Sequence, residues 1–298
     1  MPLKVLIPFA DPSTVFYLPY LLSAWGLATL WLVCAQGMSW RRAFLQPFSD
    51  RPRLLRSFRT DLKLAALYLF GVRFLAAGVE GSAFLFSWNA AGRILDAWPW
   101  TFATRPWIEG ALATGVTLLA YDFASYAAHR LLHAVPCLWT IHAVHHAAEI
   151  LTPITAHRQH PLEPLILQCA RGLAAGVGLA AVHSLLPHKT PVITICGLGA
   201  GFFLYMFTVN LHHAPVPVHY PRWLRAILIS PHMHHLHHSV EPRHQGANFG
   251  VIFSIWDRLF GTVHDETIRL GGLRFGLSSG EAPRSPAPAA ARFLTLGG

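Results

Sequence analysis

The chain has 298 residues, 53% of them hydrophobic and only 12% charged, with a mean hydropathy of +0.39. Soluble domains carry about 25% charged residues, so this composition excludes an ordinary soluble globular protein and points to the membrane. The formal charge of +9 comes mostly from arginines gathered in particular loops, which in a membrane protein reports orientation rather than nucleic acid, and no nucleic-acid partner is expected.

In chain order, residues 1–13 lack the basic start and small-residue cleavage site of a signal peptide. VFYLPYLLSAWGLATLWLVCAQGM, residues 15–38, is long enough to cross a bilayer core, which takes ~20 apolar residues. Residues 40–63 carry Arg41, Arg42, Arg51, Arg53, Arg56, Arg59 and Lys63 and read as a cytoplasmic loop by the positive-inside rule. A second apolar run covers 62–79, and the mixed, tryptophan-bearing stretch 80–106 reads as interfacial. A third run starts at Trp107 and leads into the first histidines. A fourth (162–186) and a fifth (190–211) are separated only by PHKT, which predicts an antiparallel helical hairpin. The pairs Gly172/Gly176 and Gly197/Gly201 would let its helices pack closely. GLGAG at 197–201 has no strand before it, so it reads as helix packing and not as a nucleotide loop.

Counting crossings from the basic loop puts residues 128–161 and 212–298 in the cytoplasm. Those segments hold all of the nineteen histidines except His183 and His188. The expected fold class is an all-α integral membrane protein of about four to five transmembrane helices, with a cytoplasmic helical cap holding a histidine-rich di-metal site. Residues 1–106 would form the N-terminal membrane helices and basic loop, 107–275 the catalytic domain, and 276–298, rich in Pro, Ala and Ser, a disordered tail. The expected location is multi-pass in a bacterial inner membrane, with the site facing the cytoplasm.

HRLLH places His129 and His133 at i, i+4 on one helix face. HAVHH places His142, His145 and His146 at i, i+3, i+4, and HHLHH repeats that spacing with His234, His237 and His238. A neutral imidazole offers one lone pair, so filling the shells of two metals takes roughly eight donors. A single such motif is more often a solvated polar face or a satisfied core histidine. Two identical triplets and a pair on one side of the membrane point to metal. His232 and His235 fall off the HHLHH face, His244 in EPRHQGANFG reads as a loop residue and not a ligand, and His183, His188, His219 and His264 have no partner spacing and read as structural.

These motifs in this order resemble the fatty acid hydroxylase/sterol desaturase superfamily: HRLLH, HAVHH after eight residues, HRQHPLE, then HHLHH followed by ANFG and WDRLFGT. The resemblance covers about residues 115–265. It implies an integral membrane non-haem di-iron enzyme that takes O2 as co-substrate. The ligands carried over are His129, His133, His142, His145, His146, His234, His237 and His238. A further ligand is expected from NLHHAP, with His212 preferred to His213. Relatives often show a histidine–x–asparagine pair there, whereas here Asn210 precedes His212. His160, in HRQHPLE, is a further candidate and His157 a weaker one.

Asp122, Tyr126 and His129 are spaced i, i+4, i+7. A carboxylate at membrane depth is usually functional, and Asp122 is the candidate catalytic acid, orienting a ligand imidazole by accepting its second N–H. A structural, paired Asp122 is the equal alternative. Glu163 and Asp257 read as structural, the latter tied to an arginine. Iron, cycling between Fe2+ and Fe3+ as a pair of ions, follows from the reaction and not from the ligands, because imidazole suits zinc, copper, iron and nickel alike and zinc has no redox chemistry. Cys34, Cys137, Cys169 and Cys196 form no CxxC pair and read as buried, inert thiols. With no iron–sulfur pattern, haem segment or dinucleotide fingerprint, a separate electron donor is implied, ferredoxin- or cytochrome-type with its reductase. Arg222, Arg225 and Arg243 offer a basic surface for such a partner or for lipid headgroups. The leading function is hydroxylation, or desaturation, of a membrane lipid such as a sterol or hopanoid, a fatty acyl chain or an aminolipid. The alternatives are a histidine-rich metal transporter or sensor and an inactive family member. Nothing in the sequence bears on oligomeric state.

Overall fold

The computed structural model describes residues 10–14, 16–46, 51–97, 101–195, 197–266 and 272–277. Helix α1 (Leu18–Gln36) starts with a proline in its first turn and stops at Gly37, whose φ of 65° is the left-handed cap that glycine adopts without cost. After α2 (Trp40–Leu45), α3 (Arg51–Leu67) runs through one π-helical turn (Tyr68–Val72) into α4 (Arg73–Leu95). The basic segment read as a loop is therefore largely helical. Arginine and leucine are both good helix formers, so a charge pattern that marks a membrane side need not break the helix. The stretch 80–95, read as interfacial, continues as α4.

Helix α5 (Pro106–Ala134) ends at Val135, which is extended ahead of Pro136, the first residue of α6 (Pro136–His146). A 3-10 turn (Pro153–His157) leads to α7 (Leu162–Leu185). The expected hairpin partner of α7 is interrupted. Strands β1 (Thr194–Ile195) and β2 (Leu198–Gly199) pair antiparallel, with Gly197 at φ 78° in the turn, and only the 13 residues of α8 (Ala200–His212) are helical. At 1.5 Å per residue α8 spans roughly 20 Å, short of a ~30 Å hydrocarbon core. Gly172 and Gly176 pack on α4 and not on α8. A Cβ on Gly176 would collide with the Phe84 carbonyl and the Ser87 hydroxyl, and one on Gly172 with the Glu80 carbonyl. Gly201 faces Leu118 of α5, where an added Cβ would sit at 3.2 Å.

Short helices α9 (Arg222–Arg225), α10 (Pro231–His237) and α11 (Ile255–Leu259) complete the described residues. Among the described residues three helical stretches, Leu18–Gln36, Leu55–Leu95 and Leu162–Leu185, are long and apolar enough to cross a membrane. Phe70, Leu75, Phe86 and Ile94 are each more than half exposed, as lipid-facing side chains are. Cys34 and Cys137 are exposed and Cys169 is partly exposed, so none of these three thiols is buried as expected. Cys196 and the tail beyond Leu277 lie outside the described residues.

Candidate metal centre

Helices α5, α6 and α10 converge through their histidines. His129 and His133 on α5, His142 and His146 on α6, and His237 on α10 are all buried and bring one ring nitrogen each to within 4.8 Å of one another. Three of the second nitrogens are held from outside. His129 Nδ1 lies 2.9 Å from the Phe249 carbonyl and His237 Nδ1 2.8 Å from the Ala247 carbonyl. His142 Nδ1 meets Glu163 Oε1 at 2.9 Å. A carbonyl only accepts, so His129 and His237 must donate from Nδ1, and a Glu163 carboxylate requires the same of His142. The inward Nε2 atoms of His129 and His142 then present lone pairs to each other at 3.1 Å. That arrangement repels unless a cation lies between. Nε2 of His133, His146 and His237 is likewise buried with no hydrogen-bond partner.

A second group adjoins the first. Its members are His145, His213, His234 and His238, all buried. Nε2 of His213 lies 3.4 Å from that of His145 and 3.2 Å from that of His234, which is 3.1 Å from that of His238. The Val209 carbonyl, 2.9 Å from His213 Nδ1, fixes that ring's proton on the outer side. Ser230 caps α10 by accepting from the Met233 N–H at 3.2 Å, which sets the register that aims His234, His237 and His238 inward. His146 and His238 stack at 4.5 Å, so the two groups share a wall.

Burial holds these rings neutral. Desolvation pushes His213 down to about 4, opposed by its bond to the Val209 carbonyl. Desolvation first, and neighbouring histidines second, drive His142, His145, His146, His234, His237 and His238 well below the usual histidine range. Neutral imidazoles keep their lone pairs at pH 7, which is the state a metal requires. Nine such donors in groups of five and four fit two imidazole-bound metal ions.

Eight of the ten expected ligands are therefore brought together, and two are not. His212 Nε2 lies 3.1 Å from the Ile229 carbonyl, and its ring stacks on His234 at 4.9 Å without joining the group. Its place is taken by His213, the first residue past α8, which turns out of the helix. In two adjacent histidines at a helix end, spacing alone does not say which one turns inward. His160 accepts from the Leu162 N–H at 3.3 Å and is partly exposed, while His157 is sandwiched between Phe16 and Tyr68 at 5.6 and 4.3 Å. The off-face residues His232 and His235 bond the backbone carbonyls of Glu266 and Ala214 at 2.6 and 3.0 Å.

Of the three acids, Glu163 meets a ligand imidazole, whereas Asp122 and Asp257 bind the backbone. Asp122 touches no ligand imidazole; it accepts from the Ile252 and Phe253 N–H groups at 2.8 and 3.1 Å and from the Trp256 indole at 2.9 Å. Among the described residues Asp257 pairs with no arginine; it accepts from the N–H groups of Phe249 and Gly250 at 2.9 and 2.8 Å and from the Thr262 hydroxyl at 2.7 Å. These two acids clamp the segment whose Phe249 carbonyl orients His129. The acid that meets an imidazole of the two metal groups directly is Glu163, and its place in the HPLE turn beside the histidine motifs is the available signal.

A pocket beside the second group is lined by Ser125, Arg171, Tyr205 and Val209 as well as by His145 and His213. A neighbouring pocket shares Arg171, Tyr205 and Val209 and extends to Tyr68, Phe202 and Met206. Arg171, buried on α7, donates to Ser125 Oγ at 2.9 Å and Gln168 Oε1 at 3.2 Å and lies over the Tyr205 ring at 4.7 Å. Two neighbouring pockets that share one guanidinium thus lie beside the histidines.

The fatty acid hydroxylase family model matches residues 114–262, half of the chain, and encloses both the α5 and α10 histidines. The chain belongs to the fatty acid hydroxylase family. The chain is 25% identical over 198 residues to alkylglycerol monooxygenase of Caenorhabditis elegans, covering 64% of the chain and 35% of that protein. It is 28% identical over 170 residues to ornithine lipid hydroxylase OlsE of Rhizobium tropici, covering 57% of the chain and 44% of that protein. It is 22% identical over 246 residues to a probable Delta(7)-sterol 5(6)-desaturase of Neurospora crassa, covering 80% of the chain and 61% of that protein. The chain thus spans less than half the length of the first two relatives. No solved structure matches it.

Proposed function

We propose that this chain is an oxygen-dependent membrane lipid hydroxylase whose two histidine groups each hold one iron ion. The observation that carries the reading is the convergence of nine buried, neutral imidazoles, with the protons of His129, His213 and His237 held outward by backbone carbonyls. Bound there, iron would supply the one-electron chemistry that activates O2 against an unactivated C–H bond, which zinc lacks. The protein's own contributions are positional. Glu163 and the carbonyls of Ala247, Phe249 and Val209 orient rings, Asp122 and Asp257 hold the loop behind His129, and burial keeps water from the reacting centre.

The lipid would enter through these pockets past Phe202 and Met206. Arg171 and Tyr205 would bind its polar portion, so that the oxidised carbon lies near a polar group. The relatives' names agree on lipids and differ on which one, so the choice among alkylglycerol, aminolipid, fatty acyl and sterol frameworks rests with these pockets. In the same reading α5 and α8 accompany the three long spans into the bilayer, residues 107–275 form the catalytic unit, and the basic flank at 41–63 keeps the site on the cytoplasmic side of a bacterial inner membrane. Electrons come from a separate ferredoxin- or cytochrome-type donor.

The test is iron quantification on the purified chain, followed by NADH-driven O2 uptake with a donor system and total lipid, and mass spectrometry of the products. Two irons per chain and a lipid that gains one oxygen atom are the expected results. A metal-loaded protein that consumes no oxygen with any lipid fraction refutes the hydroxylase reading in favour of an inactive scaffold. Metal flux into proteoliposomes refutes it in favour of transport.

A further inference from the structure

The two histidine groups leave a third cluster unused. His244 in the loop after α10, His264 and Glu266 each bring a ligand atom to within 4.8 Å of the others. His244 is fully buried, 0% exposed, and neither of its ring nitrogens has a hydrogen-bond partner. Its Nε2 lies 3.5 Å from Glu266 Oε2, and His264 Nε2 lies 3.4 Å from the same oxygen. Charge-assisted hydrogen bonds run about 2.7–2.9 Å, so both contacts are long for pairs held by a shared proton. They instead match the edges of a metal tetrahedron: bonds of ~2.0–2.1 Å from zinc to imidazole and carboxylate put neighbouring ligands roughly 3.3–3.4 Å apart. The other carboxylate oxygen, Oε1, is taken by Arg243 Nη1 at 3.1 Å, which turns Oε2 toward the histidines.

We propose that His244, His264 and Glu266 form a third metal site, distinct from the two histidine groups, that takes Zn2+ and leaves a fourth position to water. Two imidazoles and one carboxylate are an established zinc donor set. A cation at this point gives the buried Nε2 atom of His244 the partner it otherwise lacks.

The site's place in the fold gives it a structural purpose. It joins the loop 241–247 to the segment 262–266 across Asn248, a non-glycine residue held at φ 57°. Asn248 is already pinned by its N–H to the Thr262 carbonyl at 2.9 Å and by its side chain to the carbonyls of Met233 and His264 at 2.9 and 2.7 Å. The residues on either side of Asn248 are Ala247 and Phe249, whose carbonyls set the proton position on His237 and His129. Zinc would lock the backbone that orients two imidazoles of the first group, without touching them.

The experiment uses the full chain in detergent, stripped with chelator, exposed to excess Zn2+ alone, desalted and assayed for metal per chain. Wild type should retain one more Zn2+ than Glu266→Gln or His264→Ala. The difference is the readout, so it holds whichever metal the two histidine groups prefer and whether or not the chain hydroxylates lipid. Equal metal content in wild type and Glu266→Gln overturns the proposal. A His264→Ala protein that has lost its cooperative melt is set aside, and the decision then rests on Glu266→Gln, which preserves side-chain shape. As a second measurement, Zn2+ should raise the melting temperature of wild type by more than that of Glu266→Gln, and equal increments count against the site.

Discussion

Removing the Glu163 carboxylate should weaken metal binding without changing any ligand. Glu163 Oε1 lies 2.9 Å from His142 Nδ1, and both side chains are almost wholly buried, at 1% and 3% exposed. Glu163→Leu deletes the acceptor and leaves a buried imidazole N–H unpaired, a cost of about 1–3 kcal/mol. It also frees His142 to place its proton on Nε2, where it would block coordination. Outer-shell substitutions of this kind typically cost 10–100-fold in metal affinity. Glu163→Gln keeps an acceptor oxygen of the same reach but loses the charge, so it should fall near the lower end, about tenfold or about 1.4 kcal/mol. Competition of the first group's metal against a chelator of known affinity gives the numbers, with His142→Ala as the full-loss reference. Wild-type affinity in a folded Glu163→Leu protein would show that His142 is oriented by something else and would refute the reasoning.

Four further outcomes follow from the same geometry. His213→Ala should lose one of the two metals, whereas His212→Ala should keep both and lower stability alone, by at least about 1–3 kcal/mol, since it strands the Ile229 carbonyl and empties a buried site; metal analysis and melting separate the two. Asp122→Ala strands two backbone N–H groups and an indole N–H, so it should lower stability by at least about 3 kcal/mol, and a melting temperature within a degree or two of wild type would sink the clamp role. Gly176→Ala, crowded by α4, should destabilise by about 1–3 kcal/mol, while Gly115→Ala, with nothing within 4 Å of its added Cβ, should be neutral or stabilising by a few tenths to about 1 kcal/mol. With metal chelated, stability should fall with pH: His213 titrates near 4 when folded against ~6.5 unfolded, so the unfolded chain binds more protons between those values. Stability is then intact above about 6.5 and lost progressively toward 4, roughly 3 kcal/mol for this group alone. A melting temperature that stays flat from pH 7 to pH 5 contradicts the buried, neutral assignment.

The membrane setting and the metal chemistry were legible in the primary structure because both are local. An apolar run of a given length declares itself, and so do imidazoles repeated at i, i+3, i+4 on a helix. His129, His133 and the triplets at 142–146 and 234–238 could therefore be named without coordinates. What spacing cannot carry is the direction a residue takes where a helix stops, and that is why His213 and not His212 enters the second group. Nor can it carry pairings between distant segments. Glu163 meets His142, Asp122 meets the backbone at 252–253, and Gly172 and Gly176 seat α4 rather than α8, each through a contact that exists only once helices are docked. A histidine's periodicity belongs to its own helix; the partner of its second nitrogen belongs to whichever chain segment packing delivers there.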